Sequence, residues 1–208
     1  MHREVLTKPA AALFPLLSRF PDFYLAGGTA LALQIGHRIS VDFDLFNQRE
    51  IDRHMFQHVQ SVLGDAVEIE PLVNNGDELT ILADGVKMTF LRYPFPVRDS
   101  LVLFERVRLL SVSEIATTKA YTIGRRGSFK DYVDLYFVIH ENRSTLADII
   151  AGAEQKFGTD FNSRLFLEQL VYVADLDEAD VWFIKPKITR RAVQSFFEDR
   201  VREVARSI

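Results

Sequence analysis

Residues 25–46, LAGGTALALQIGHRISVDFDLF, contain the pattern from which we predict the core of the fold. The stretch opens on an apolar run that meets a turn at Gly27 and Gly28, continues with residues of helical composition, and ends in alternating apolar and acidic residues. Such alternation is the period of a half-buried strand, so Asp42 and Asp44 are expected on one face. The stretch therefore predicts a strand, a turn, a helix and a second strand that presents two carboxylates.

The flanking sequence extends this unit to a small mixed or antiparallel sheet with helices around it. Asp84 and Gly85 separate two strand-like runs and suit a tight hairpin turn. The elements expected in this half are an N-terminal helical segment around Leu13–Phe20, strands at Asp22–Ala26, Ser40–Phe46, Ala66–Val73, Glu78–Ala83 and Val86–Tyr93, and helices at Thr29–Ile35 and Asp52–Leu63.

The C-terminal half has a different pattern, because apolar residues there recur at helical spacing. No segment rich in Pro, Gly or Ser marks the boundary near residues 110–112, so the two halves are expected to pack tightly. The prediction is an α+β fold with a core domain over residues 1–110 and a C-terminal helical bundle over residues 111–208. Its expected helical segments span residues 111–126, 129–141, 144–158, 161–174 and 189–208.

Composition narrows the function classes. The chain has 208 residues, 48% of them hydrophobic, which is enough for a sizeable core. The absence of cysteine excludes disulfides, thiolate zinc sites and a cysteine nucleophile. A net charge of -4 argues against coating nucleic acid by bulk electrostatics, although a local basic face could hold a structured RNA. No apolar window approaches a membrane span of roughly 20 residues, so a cytoplasmic protein without a membrane partner is expected.

The parts of the opening stretch favour one kind of chemistry. Carboxylates at alternate strand positions repel each other, and a hard divalent cation such as Mg²⁺ relieves that repulsion. A glycine turn at the start of a helix lets backbone N–H groups approach an anion. Alone, a Gly-Gly-Thr turn is usually only a turn, and acids on a strand often serve solubility or edge protection. Together, a phosphate cradle and a metal-binding carboxylate pair favour nucleotidyl transfer.

At this point the chain resembles a known family. The segments GGTAL at 27–31 and HRISVDFDLF at 37–46 resemble the AbiEii/AbiGii (MenT-like) branch of the DNA polymerase β-type nucleotidyltransferase superfamily. Members of this branch are known mainly as bacterial toxins of toxin–antitoxin and abortive-infection systems. A second block, SVSEIATTKAYTIGRRGSFKDYVDLYFVI at 111–139, resembles the family's later motif. The resemblance implies a nucleotidyltransferase core whose active-site cleft the helical domain completes.

The resemblance also implies roles for individual residues. The catalytic residues it implies are Asp42, Asp44, Lys119 and Asp131, with Asp42 and Asp44 as the metal ligands and Asp134 only as support. The expected nucleotide-binding residues are Gly27, Gly28, Thr29, Arg38, Ser40 and Lys119. For Arg38 the alternative is to orient Asp42 or Asp44, and for Ser40 it is to cap or brace the turn. For His37 we expect a structural hydrogen-bonding role, because Mg²⁺ favours oxygen ligands.

Simpler interpretations of the second block stay open. A lone lysine such as Lys119 is usually a solvated surface residue. Asp131 and Asp134 share a helical face near a helix N-terminus, where capping or pairing with Arg125 or Arg126 explains them as well as catalysis does.

One feature departs from the superfamily. Its members generally place a third carboxylate on a later strand, whereas Val86–Leu91 carries no acid and Thr89 is expected at that position. Three explanations follow: two carboxylates and triphosphate oxygens hold the metal, an acid from elsewhere such as Asp131 takes part, or activity is weak or lost.

The expected function is Mg²⁺-dependent transfer of NMP from an NTP to an acceptor hydroxyl, with two ions bound alongside the NTP. The resemblance suggests RNA, the tRNA 3′ end above all, as acceptor and a cognate antitoxin as partner. Basic residues that could hold RNA are Arg125, Arg126, Lys130, Lys185, Lys187, Arg190 and Arg191. The alternatives are a nucleotide- or RNA-binding module that has lost catalysis, and transfer to a protein or small-molecule acceptor.

Overall fold

The computed structural model describes residues 1–173, 176 and 181–206. These residues divide into two compact units, Met1–Ser111 and Val112–Ile208. The described residues do not include three from the ends of predicted helical segments, Ala174, Ser207 and Ile208, and the side chain of Arg126 is likewise not described.

The first unit is built on a mixed sheet of seven strands, in the order β3-β4-β5-β2-β1-β7-β6. The strands are β1 (Tyr24–Ala26), β2 (Phe43–Asn47), β3 (Ile69–Asn74), β4 (Glu78–Ala83), β5 (Val86–Arg92), β6 (Val102–Phe104) and β7 (Val107–Leu109). The helices of this unit are α1 (Lys8–Leu13), α2 (Gly27–Ile35) and α3 (Met55–Leu63), with 3₁₀ turns at Arg3–Val5 and Phe14–Arg19.

Alternating burial gives the centre of this sheet two different faces. β2 runs parallel to β5, and Phe43, Leu45, Met88 and Phe90 are at most 1% exposed, so one face belongs to the core. The residues between them point the opposite way because successive side chains of a strand alternate. The half-buried Asp44 and Thr89 therefore lie on the other face.

The predicted carboxylate strand is shorter than expected. It begins at Phe43 rather than Ser40, because Ser40 has other hydrogen-bond partners. The Ser40 N–H donates to the Val5 carbonyl at 2.9 Å, and Ser40 forms an isolated parallel bridge with Leu6. Asp42 consequently lies just before β2, and Asp44 lies within it.

The pair β6–β7 was not predicted. Its two-residue turn consists of Glu105 and Arg106, with φ angles of 48° and 68°. Hairpin turns of this left-handed kind normally use Asn, Asp or Gly, so the sequence carries no turn signal. An ion pair from Arg3 to Glu105 holds the turn from a distant part of the chain.

The second unit is helical, as predicted. Its helices are α4 (Val112–Arg126), α5 (Phe129–His140), α6 (Leu146–Phe157), α7 (Ser163–Val171) and α8 (Arg190–Ala205), with a 3₁₀ turn at Gly158–Asp160. A buried ion pair between Glu114 and Lys156 joins α4 to α6. In the part of the chain described here, no helix combines the length and apolar character needed to cross a membrane. The predicted α+β class, a mixed sheet with flanking helices followed by a helical bundle, is confirmed.

Candidate active site

Asp44 lies at the centre of the sheet, between two strands. It pairs with Ala26 of β1 on one side and with Thr89 of β5 on the other. Directly paired residues point to the same face of a sheet, so the Asp44 carboxylate and the Thr89 hydroxyl are neighbours. The register thus places Thr89 directly beside Asp44, and its correspondence to the expected third carboxylate stays a prediction.

The glycine turn is fitted closely to Asp44. Gly27 begins α2 with a φ of +64°, a conformation that L side chains rarely adopt. A Cβ at this position would lie 3.2 Å from Asp44 Cγ, and closer still to the Asp44 carboxylate oxygen Oδ2. Only glycine therefore lets β1 turn into α2 beside this carboxylate. The first N–H groups of α2, which have no partner within the helix, begin at the same place.

A buried chain of hydrogen bonds fixes the segment before β2. Thr29 Oγ1 lies 2.7 Å from Ser40 Oγ and donates to the Asp42 carbonyl. Arg38 Nη1 donates to the Ile39 carbonyl at 3.1 Å and lies 3.4 Å from Ser40 Oγ. Because Thr29 has one hydroxyl proton, it accepts from Ser40 when it donates to Asp42.

These hydrogen bonds give three of the predicted nucleotide-binding residues a positional role. Thr29, Arg38 and Ser40 are 2%, 5% and 7% exposed, so their polar atoms face the protein interior. Together they fix the backbone that carries Asp42. Gly27 and Gly28 are half-buried and keep access to solvent.

The candidate metal ligands around Asp44 are oxygen atoms. The carboxylates of Asp42 and Asp44 and the hydroxyl of Thr89 are oxygen donors of the type that Mg²⁺ prefers. His37, the nearest imidazole in sequence, is fully buried, and the hydrogen-bonding role expected for it stays a prediction. Within the described ranges, no cluster of three or more acidic, histidine or cysteine side chains could hold a metal ion. The donor types of Asp42, Asp44 and Thr89, two carboxylates and one hydroxyl, are ones that fit Mg²⁺.

The remaining predicted site residues lie in the second unit. Lys119 Nζ is 2.8 Å from Asp131 Oδ1 and 2.6 Å from Asp134 Oδ2. The Lys119 side chain is 9% exposed and that of Asp134 is 0% exposed, so Lys119 is not a solvated surface residue. Asp131 Oδ2 also accepts hydrogen bonds from the N–H and the hydroxyl of Ser128 at the start of α5. Capping and ion pairing therefore both apply to Asp131.

The pKa of Asp131 reflects this environment. Burial would raise the pKa, and the neighbouring Asp134 carboxylate acts in the same direction. The Lys119 charge, its hydrogen bond and the Ser128 N–H outweigh both, so the pKa of Asp131 lies below its ordinary value of 3.8. Asp131 is therefore ionised at neutral pH and suited to orient a cation.

Several basic residues expected to hold RNA have partners within the second unit. Arg125 donates to the Asp160 carbonyl and lies 3.8 Å from the centre of the Tyr121 ring, rather than pairing with Asp131. Lys185 forms an ion pair with Glu141. Arg190 lies 5.4 Å from the centre of the Phe129 ring. Of the predicted basic set, Lys187 and Arg191 are exposed, and Lys130 is half-buried.

Sequence reasoning missed two polar residues on the carboxylate face. Thr80 of β4 pairs with Thr89, and its hydroxyl oxygen lies 2.5 Å from Glu78 Oε1. The predicted turn at Asp84-Gly85 contained the signal, because a two-residue turn fixes the register of its hairpin. That register places Thr80 opposite Thr89.

Solved structures of nucleotidyltransferases share the fold of this chain. A crystal structure from H. pylori, named as that of a candidate nucleotidyltransferase, matches with a TM-score of 0.58 and 16% identity over 94% of each chain. MenT4, a nucleotidyltransferase toxin of Mycobacterium tuberculosis H37Rv, matches with a TM-score of 0.58 and 17% identity over 91% of this chain and 80% of its own. At such identities the likeness shows the fold, which is that of a nucleotidyltransferase.

Sequence comparison then identifies the family. The family model described as nucleotidyl transferase AbiEii toxin, type IV TA system, matches residues 11–206. An uncharacterized protein of Aquifex aeolicus (strain VF5) is 32% identical over 189 residues, which are 88% of this chain and 87% of that protein. The chain belongs to the AbiEii nucleotidyltransferase toxin family, and the resemblance drawn from its two motif blocks is confirmed.

Proposed function

We propose that this protein transfers NMP from an NTP to a hydroxyl of RNA, the tRNA 3′ end above all, in a Mg²⁺-dependent reaction that releases pyrophosphate. The observation that carries the proposal is the fit of Gly27 against Asp44, which sets a helix N-terminus beside a carboxylate. Anions bind at helix N-termini and divalent cations bind at paired carboxylates. An NTP with its metal ion combines both kinds of charge.

Each residue has a role that follows from its contacts. Asp42 and Asp44 would hold Mg²⁺, which when bound neutralises charge on the triphosphate and favours attack by a hydroxyl. Gly27 and Gly28 offer backbone N–H groups to phosphate oxygens at the start of α2. The buried hydroxyl of Thr29 keeps the segment before β2 in place.

The proposal assigns Lys119 to the phosphates of the NTP. It assigns Asp131 to the orientation of the Lys119 ammonium group. Two carboxylates hold Lys119, so its position is fixed before any ligand binds. A preorganised cation stabilises developing negative charge without reorganisation during the reaction. Asp131 thereby contributes to catalysis through Lys119.

Membership of a toxin family supports the biological part of the proposal. RNA modified by an added nucleotide would fail in its normal role, which explains toxicity, and a cognate antitoxin would control it. Because NTPs and tRNA are the proposed substrates, we extend the proposal to a cytoplasmic location.

One structural observation favours a second candidate function. Thr89 pairs with Asp44, and β5 carries no carboxylate of the kind expected from the superfamily on a later strand. A chain that had lost this acid and its activity would still bind nucleotide or RNA as a module. In that case binding would persist without turnover.

The deciding experiment follows α-labelled and γ-labelled NTPs onto total tRNA with Mg²⁺. Wild type is compared with Asp42→Ala/Asp44→Ala and with a matched control, Asp22→Ala/Asp65→Ala, which removes two exposed carboxylates away from the site. Nucleotidyl transfer predicts that α-label, and no γ-label, appears on RNA with wild type and control and disappears with the site variant. NTP binding without transfer of label to RNA would instead favour the binding module or a different acceptor.

A further inference from the structure

A hydrogen-bonded row of side chains crosses the sheet beside Asp44. Thr89 pairs with Asp44 on one side and with Thr80 on the other. The oxygen Thr80 Oγ1 lies 3.2 Å from Thr89 Oγ1 and 2.5 Å from Glu78 Oε1. We call Glu78, Thr80 and Thr89 the polar row.

The direction of these hydrogen bonds follows from the donors available. An ionised carboxylate only accepts, so the short contact makes Thr80 the donor to Glu78. Thr80 has one hydroxyl proton and is 5% exposed, so towards Thr89 it accepts. The Thr89 proton therefore points towards β4. Thr89 Oγ1 can therefore act as an acceptor on the side where Asp44 lies.

We propose that Glu78, acting through Thr80, holds the Thr89 hydroxyl oxygen as an acceptor beside Asp44, where it serves as the third oxygen ligand of the site. The inference rests on the proposed function and deepens it. Threonine and serine hydroxyls are known Mg²⁺ ligands in phosphate-binding loops. Thr89 would touch the metal ion, whereas Glu78 and Thr80 are positioning residues.

The polar row also gives a reason for the position of the Glu78 carboxylate on β4, two strands away from Asp44. Without Thr80, the Thr89 hydroxyl could rotate and donate its proton to Asp44. That bond would occupy a lone pair of Asp44 and remove the oxygen offered by Thr89. The negative charge of Glu78 favours the opposite orientation without adding a third charge directly beside Asp42 and Asp44.

The test measures Mn²⁺ binding by electron paramagnetic resonance, with a nonhydrolysable NTP analogue present. The proposal predicts roughly tenfold weaker Mn²⁺ binding in Thr80→Val, the scale typical of lost support to a metal ligand. Thr80→Ser restores the hydroxyl and should bind Mn²⁺ as wild type does. Thr159→Val makes the same substitution at an exposed position of the second unit and should leave binding unchanged.

A second variant covers a folding failure at the buried Thr80. Glu78→Ala changes a half-buried side chain, so thermal unfolding should stay near wild type while Mn²⁺ binding weakens in the same direction. In the transfer assay, both variants should need more Mg²⁺ for half-maximal rate. A structural role alone would not move this requirement.

The outcomes separate the two levels of the proposal. Wild-type affinity for Mn²⁺ in Thr80→Val and Glu78→Ala, with loss in Asp44→Asn, overturns the role of the polar row and leaves the proposed function standing. A wild-type protein that binds no Mn²⁺ with the analogue and transfers no nucleotide overturns the proposed function as well.

Discussion

Lys119 Nζ lies 2.6 Å from Asp134 Oδ2, and the two side chains are 9% and 0% exposed. Asp131 shares the same ammonium at 2.8 Å. Removing one member of a buried ion pair leaves the other charge without compensation, which costs more than the pair contributes. Lys119 therefore has a part in folding the second unit that is separate from any part in catalysis.

Lys119→Met should destabilise the protein by about 3–5 kcal/mol, because the buried Asp134 carboxylate loses the cation that balances its charge. Urea unfolding at pH 7, followed by circular dichroism, measures the change. Lys119→Met/Asp134→Leu replaces the pair with apolar side chains and should recover most of the loss. Simple addition of the two single losses in the double variant would show that the residues do not interact.

The lowered pKa of Asp131 predicts a dependence of stability on pH. A carboxyl whose folded pKa lies below its ordinary value of 3.8 stabilises the native state above that value. The contribution is lost as pH falls through the lower, folded pKa. Wild type should thus exceed Asp131→Asn in stability at neutral pH, and the difference should shrink below pH 3.8.

Urea unfolding at a series of pH values from neutral downwards measures this difference. Asp160→Asn provides the control, since its side chain is exposed and the bond from Arg125 goes to the backbone. A gap between wild type and Asp131→Asn that stays constant through the acid range would contradict the assigned cause.

The fold was predictable where short-range patterns determine it. Alternation identified β2, strand-like runs on either side of the Asp84-Gly85 turn identified β4 and β5, and helical spacing identified the helices of the second unit. The β6–β7 hairpin was not predictable, because Glu105 and Arg106 take left-handed conformations without a residue type that signals them. An ion pair with Arg3 stabilises that turn, and contacts between distant residues are not visible in a local pattern.

The candidate site, too, was predictable only where a local sequence pattern determines it. The order Gly27, Gly28, Asp42, Asp44 was enough to suggest a metal and phosphate site. The inward orientation of Thr29 was not predictable, since it depends on where the segment before β2 packs. Whether Lys119 is exposed or buried also depends on α5, which brings its two carboxylates.

Gly27→Ala tests the close fit between the turn and Asp44. The change forces a side chain into a φ of +64°, at a cost of about 1–2 kcal/mol, and pushes its Cβ against the Asp44 carboxylate. Gly85→Ala is a matched control, because its φ is +76° and nothing lies within 4 Å of the added Cβ.

Both glycine variants should lose stability in urea unfolding, Gly27→Ala at least as much as Gly85→Ala, but only Gly27→Ala should lose Mn²⁺ binding and nucleotide transfer. The backbone strain that both variants share explains their loss of stability. The displacement of Asp44 in Gly27→Ala explains why only that variant loses Mn²⁺ binding and transfer. Equal transfer activity in the two variants would mean that the position of Asp44 does not limit the reaction.

Thr29 provides the last prediction, which separates positioning from nucleotide binding. Thr29→Val removes the buried hydroxyl that bonds both the Asp42 carbonyl and the Ser40 hydroxyl, which costs about 1–3 kcal/mol. If Thr29 only positions the segment before β2, kcat should fall while KM for the NTP stays near wild type. Thr29→Ser keeps the hydroxyl and should restore kcat. A raised KM at unchanged stability would instead make Thr29 a direct ligand of the nucleotide.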